Sequence, residues 1–152
     1  EFASIQAGMT RALAGYGIPT DGLRLVDGSG LSSEDRVTAD YLTRLMAEIA
    51  VKKDDLGVVY DGLAVAGKTG TLAEDGRFSK RDAVAAGRIR GKTGTLDTMG
   101  GLTGIADAAD GTQVAFTIWA EGTPPGASDA AARTSIDALA TSIYRCGGSI
   151  SG

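Results

Sequence analysis

Apolar positions recur every three to four residues in three stretches of this chain and alternate in three others. Residues 4–14 carry Ile5, Met9 and Leu13 at four-residue spacing, with Ser4 placed to cap, and predict a helix. Gly15, Gly17 and Pro19 end it. Leu23–Val26 is a short strand-like run, and Asp27-Gly28-Ser29-Gly30 then forces a turn. Thr38 opens a second helix to about residue 50, with Tyr41, Leu42, Leu45, Met46 and Ile49 on one stripe. Residues 51–87 are rich in glycine and charge and lack a period. They predict a short helix near Asp54–Tyr60 and then a long, ordered loop. From Arg88 the period becomes two: Arg88–Leu96, Gly101–Ala106 and Gln113–Ala120 are strand candidates, the last two joined as a hairpin through Asp107–Gly111. Gly122–Gly126, with Pro124 and Pro125, is a hard break. Ser128 then caps a closing helix to about Arg145, with Ile136, Leu139, Ala140 and Ile143 inward, and the Gly/Ser tail from Gly147 is expected to fray.

Helices first, a three-stranded antiparallel meander next and a closing helix last make an α+β fold, because nothing alternates as a βαβα chain does. A length of 152 residues suits one domain, and 43% apolar with 22% charged residues excludes general disorder. Aromatic residues are only 5%, so the core is built from Ala, Val, Ile and Leu. The sequence contains no histidine, which excludes a Ser-His-Asp or Cys-His hydrolase within it and most zinc sites. A net charge of −4 leaves no basic footprint for nucleic acid. Cys146 is alone, so no internal disulfide forms; without a histidine to activate it, it reads as an inert thiol. No apolar run reaches the roughly 18 residues of a membrane span, and no signal peptide is recognisable.

Two similar strings compete for the chemistry. Gly62–Thr69 matches the nucleotide-binding pattern G-x-x-x-x-G-K-S/T letter for letter, with Lys68 as its lysine. A phosphate loop leaves a strand and enters a helix, whereas Gly70–Gly76 is loop chemistry, so a tight glycine-rich loop fits better. The second string, Arg88–Leu96, has strand-like flanks. There Gly94 lets a ligand backbone approach, Lys92 supplies an ammonium, and Thr93 and Thr95 place hydroxyls on one face. Its edge suits pairing with an extended peptide; an ordinary edge strand with a lysine guarding against aggregation is the plainer alternative.

Lys92-Thr93-Gly94 on a strand resembles the third active-site motif of penicillin-binding proteins and serine β-lactamases. Three further segments narrow the resemblance: Asp27–Ser32 with Arg36-Val37-Thr38; Leu63–Gly67 with Gly70-Thr71-Leu72 and Arg77-Phe78; and Arg90–Leu96 with Leu102-Thr103-Gly104. Their order, over roughly residues 8–145, is similar to D-alanyl-D-alanine carboxypeptidase/endopeptidases of the penicillin-binding protein 4 type. The resemblance makes Lys92 the active-site lysine and leaves Lys68 at a variable position.

Such enzymes need Ser-x-x-Lys for the nucleophile and Ser-x-Asn for proton relay. No serine here is followed by lysine at the third place, and the sequence has no asparagine. The chain is therefore expected to be the C-terminal part of a DD-peptidase domain, residues 1–152, inactive alone and partnered by the N-terminal part of the same protein. The resemblance implies that Lys92 and the Thr95 backbone N–H are catalytic, the latter as half of an oxyanion hole. It implies that Thr93, Gly94, Thr95 and Leu96 bind a peptidoglycan peptide ending in D-Ala-D-Ala, or a β-lactam. It implies no metal or cofactor and an extracytoplasmic location. It also implies a five-stranded sheet with three strands here, leaving Gln113–Ala120 with an uncovered edge. A non-catalytic peptide-binding module and the nucleotide site at Gly62–Thr69 are the alternatives. Trp119 reads as a core or edge-strand anchor and Asp54-Asp55 as a helix start.

Overall fold

A computed structural model of the chain describes residues 2–97, 99–122 and 129–151. Helix α1 spans Phe2–Ala14, α2 Ala39–Ala50, α3 Gly57–Gly62 and α4 Asp129–Cys146. Strands β1 (Ala64–Val65), β2 (Ile89–Leu96), β3 (Met99–Asp107) and β4 (Gln113–Glu121) form one antiparallel sheet in chain order. The fold is α+β with the expected meander. A fourth strand, β1, was not expected: two residues carry no period of their own, and only pairing with Arg90 and Gly91 defines it.

Strand alternation divides the sheet into two faces with separate apolar clusters. Ile89, Leu102, Ala106 and Phe116 face α4 and pack with Leu72, Phe78, Ala85, Ile136 and Ala140. On the other face Ile105 packs with Met46 and Ile49 of α2 and with Leu56 and Leu63. The α2 stripe is as expected, with Tyr41, Met46 and Ile49 buried. Thr38 caps this helix, its hydroxyl accepting from the Tyr41 N–H at 3.1 Å.

Several local expectations are corrected. Helix α1 begins at Phe2, so Ser4 lies inside its first turn and is not a cap. Leu23–Val26 forms no strand; a single bridge joins Arg24 to Arg36, too little to build a ladder. The short helix runs Gly57–Gly62 and not from Asp54, which takes a left-handed φ of 50° ahead of it. The long loop is three 3₁₀ turns, Gly70–Leu72, Glu74–Gly76 and Lys80–Ala85, held down by buried Leu72, Phe78 and Ala85. Leu139 of α4 is 54% exposed, whereas Asp137, one turn from Ala140 and Thr141, is 4% exposed. Arg77 neutralises that carboxylate and so allows it on the inward face. The tail is a 3₁₀ turn, Gly147–Ser151, because the Gly148 N–H donates to Asp110 at 2.9 Å. Trp119 is partly buried on β4, opposite Gly101. Ser128 and the Pro124-Pro125 break lie outside the described residues.

Candidate active-site strand

β2 is an eight-residue strand with only part of one edge occupied. β3 pairs along all of it, from Ile89 opposite Ala106 to Leu96 opposite Met99. β1 pairs only with Arg90 and Gly91. From Lys92 to Leu96 the outer edge has no strand partner among the described residues. The direction of its polar groups follows from parity. The Ile89 carbonyl accepts from Ala66 on the β1 side, and the Arg88 carbonyl accepts from Asp107 on the β3 side. Successive residues of an antiparallel strand alternate in this respect, so the N–H and C=O of Thr93 and Thr95 point to the open edge.

The same alternation places side chains. Thr93 and Thr95 share the α4 face, as expected, while Lys92 and Gly94 lie on the α2 face. Lys92 nevertheless reaches the edge, its Nζ donating to the Thr93 carbonyl at 2.7 Å. A Cβ on Gly94 would meet no atom of the described residues within 4 Å, so the surface beside it is open among them. Gly91 and Gly104 face each other in register and are required by packing instead. A Cβ on Gly91 would lie 2.7 Å from the Thr103 carbonyl and 2.9 Å from Leu102 Cδ1. Leu96 is partly buried at the strand's end.

On the α4 face a cavity of about 180 Å³ runs beside the open edge, lined by Thr71, Arg77, Thr93, Thr95, Arg133 and Ile136 among others. Thr71 stands on the turn Gly70–Leu72, and its hydroxyl lies 3.0 Å from that of Thr93. Arg77 holds this turn. Its Nε bonds both oxygens of Asp137 at 3.2 and 3.1 Å, its NH2 bonds Oδ1 at 2.5 Å, and its NH1 donates to the Thr71 carbonyl at 3.3 Å. The two side chains are 7% and 6% exposed, so the pair is buried. The sequence reading missed Thr71, Arg77 and Asp137 as parts of this site. A carboxylate inside the α4 apolar stripe was the available signal, since a buried charge requires a partner.

The other face carries a hydroxyl ladder: Thr103 and Thr117 lie 2.9 Å apart, and Thr43 of α2 donates to Thr117 at 3.0 Å. Thr103 is directly opposite Lys92. The phosphate-loop pattern has no matching geometry. β1 lies inside it and not before it, and a three-residue 3₁₀ turn follows in place of a helix. Thr69 accepts from the Val65 N–H, and Lys68 lies over Gly87. Cys146 is exposed at the end of α4, and Asp55 accepts a hydrogen bond from the Tyr16 hydroxyl.

The sequence profile of the D-Ala-D-Ala carboxypeptidase 3 (S13) family matches residues 2–144. The chain is 37% identical over 138 residues to carboxypeptidase DacB of Mycolicibacterium smegmatis, covering 89% of this chain and 28% of that protein. It is 36% identical over 116 residues to a D-alanyl-D-alanine carboxypeptidase of an Actinomadura species, covering 73% of this chain and 20% of that one. Among solved structures, penicillin binding protein 4 of Haemophilus influenzae, complexed with a β-lactam, superposes with a TM-score of 0.82 at 25% identity. That match covers 95% of this chain and 34% of the other. A predatory endopeptidase of Bdellovibrio bacteriovorus, in complex with an immunity protein, shares the fold with a TM-score of 0.69 at 19% identity, over 91% of this chain and 36% of that one. The chain thus spans only a fifth to about a third of the length of these relatives.

Proposed function

We propose that this chain, which belongs to the D-Ala-D-Ala carboxypeptidase 3 (S13) family, forms the Lys-Thr-Gly wall of a penicillin-binding serine DD-peptidase. The observation that carries this is the open edge of β2, where Lys92, the outward N–H groups of Thr93 and Thr95, and the uncrowded Gly94 converge. An extended peptide lying along this edge pairs with backbone groups already aligned for a strand. Its terminal carboxylate meets the Lys92 ammonium and the Thr93 and Thr95 hydroxyls, and Leu96 bounds the subsite. The substrate is a peptidoglycan stem peptide ending in D-Ala-D-Ala, and β-lactams occupy the same groove. The site belongs on the outer side of the cytoplasmic membrane, where peptidoglycan lies.

In the reaction a serine hydroxyl attacks the penultimate carbonyl, terminal D-alanine leaves, and water hydrolyses the acyl-enzyme. Negative charge grows on the carbonyl oxygen as the tetrahedral intermediate forms. The Thr95 N–H, fixed by the β2–β3 ladder, donates to that oxygen without reorganising. One such donor typically supplies about 10²–10³ in rate. The serine comes from outside residues 1–152, in keeping with the absence of Ser-x-x-Lys and Ser-x-Asn from this sequence. These residues then constitute the C-terminal part of the catalytic domain, and the chain alone is not acylated.

The test compares acylation of the full-length gene product by a fluorescent penicillin in Lys92→Ala and Lys68→Ala variants, with thermal melts as the folding control. Lys92→Ala slows acylation by more than about tenfold, or about 1.4 kcal/mol of transition-state stabilisation. Lys68→Ala changes it little, because Lys68 is exposed over Gly87 and away from the edge. Wild-type behaviour of Lys92→Ala, or serine labelling of the isolated chain, overturns the proposal.

A further inference from the structure

Thr93 carries one hydroxyl proton, and the Thr71 hydroxyl 3.0 Å away competes for it. In a pair of hydroxyls one donates and the other accepts. If Thr93 donates to Thr71, it offers only lone pairs to a ligand at the edge. If Thr71 donates to Thr93, the Thr93 proton is released toward the edge, and the chain Thr71 O–H to Thr93 O–H to carboxylate is polarised along its length. A carboxylate therefore selects the second arrangement.

Thr71 is held for this role from three sides. Gly70 takes a left-handed φ of 54°, which glycine adopts without strain, and turns the chain into the short 3₁₀ segment. Leu72 is completely buried and pins the next residue into the α4-side core. The Thr71 carbonyl accepts from Arg77, whose guanidinium is itself locked by the buried carboxylate of Asp137. Deletion of that clamp frees the turn; deletion of the Thr71 hydroxyl leaves the turn in place and removes only its bond to Thr93.

We infer that Thr71 is a positioning residue for the Lys-Thr-Gly strand, orienting the Thr93 hydroxyl to donate to the carboxylate of the bound peptide or β-lactam, with Arg77 and Asp137 holding Thr71 in register. The inference rests on the proposed function, since it presumes that the carboxylate binds at Thr93. It assigns to the Gly70–Leu72 turn a part in recognising that one substrate group.

The experiment measures acylation of the full-length gene product by two probes, a penicillin with its free carboxylate and the methyl ester of the same penicillin. The readout is the ratio of the two rate constants, which cancels any loss of folded enzyme because both probes meet the same sample. Thr71→Val lowers the acid-to-ester ratio by roughly three- to tenfold, the scale of one hydrogen bond. Thr71→Ser keeps the hydroxyl and retains most of the wild-type ratio. Thr93→Val lowers the ratio at least as far, and the double variant Thr71→Val/Thr93→Val falls no further than Thr93→Val alone. If Thr93→Val lowers the ratio and Thr71→Val does not, the inference fails while the proposed function stands. Equal slowing of both probes by Thr71→Val means that the turn merely supports the fold, and this also overturns the inference. If Thr93→Val leaves the ratio unchanged, the Thr93 hydroxyl does not read the carboxylate and the inference fails, while Lys92 and Thr95 still carry the proposed function.

Discussion

Glycine does two different jobs in the paired strands β2 and β3, and the difference is measurable residue by residue. A methyl group at Gly94 has open space, whereas at Gly104 it would collide with the Arg90 carbonyl and lie 3.2 Å from both Gly91 Cα and Phe116 Cζ. Overpacking of this kind costs about 1–3 kcal/mol, so Gly104→Ala lowers the midpoint of chemical denaturation. Gly94→Ala changes stability by less than about 0.5 kcal/mol. It nevertheless slows acylation of the full-length gene product by roughly tenfold, because the methyl group occupies the surface along which a ligand lies. Unimpaired acylation in Gly94→Ala would show that nothing approaches the strand on that side. The sequence suggested a reason for Gly94, the approach of a ligand backbone, but none for Gly104, which is explained only by Arg90 and Phe116, brought beside it by pairing.

At the scale of elements, α4 carries a charge on its inward face. Asp137 lies on the inward face beside Ile136, Ala140 and Thr141, where Arg77 pairs with it through three hydrogen bonds. Removal of one member leaves the other charge buried and unpaired, a loss of about 3–5 kcal/mol. Asp137→Ala is therefore far more destabilising than Leu139→Ala, although sequence periodicity places Leu139 in the core. Leu139 is 54% exposed and has little burial to lose. Equilibrium unfolding in urea checks the pair, and equal midpoints for the two variants would overturn the assignment. Periodicity placed Ile136 and Ala140 inward correctly and misjudged only Leu139 and Asp137, because a carboxylate counts as outward until its cation is known. Arg77 lies 60 residues earlier and meets it only in the folded chain.

The molecule as a whole is tied at two places by carboxylates that serve as hydrogen-bond acceptors. The Thr112 hydroxyl and N–H and the Gly148 N–H hold the Asp110 carboxyl below the usual aspartate range and fasten the tail to the β3–β4 turn. Desolvation pushes Asp27 upward, but bonds from Gly30, Ser29 and Ser32 outweigh it and also leave that carboxyl low. In both cases the unfolded chain binds a proton more readily than the folded one. The stabilisation is fully present above the ordinary aspartate value of about 3.9. It is lost as pH falls from there through the lower folded values. Protection of the Gly148 and Gly30 amides, measured against their intrinsic exchange rates at each pH, should fall across that acid range, and Asp110→Ala should abolish the pH response at Gly148 alone. Protection that persists unchanged in Asp110→Ala would show that the tail is held by other contacts.

The α+β class, the α2 stripe, the Thr38 cap, the three long strands and the Lys92-Thr93-Gly94 string were all determined by the sequence itself. Each is a local property: a period, a capping hydroxyl or a run of residue types acts over a few neighbours and leaves its mark there. The two-residue strand β1, the inward Asp137, the anchored tail and the meeting of Thr71 with Thr93 were decided only by the tertiary structure. The last joins groups 22 residues apart through a turn without a period of its own. The boundary between them is physical. Backbone and side-chain preferences act along the chain, whereas pairing, charge neutralisation and close packing act across it. The open edge of β2 belongs to both classes, written in the sequence as a strand and made available by a neighbour, β1, that pairs with only two of its residues.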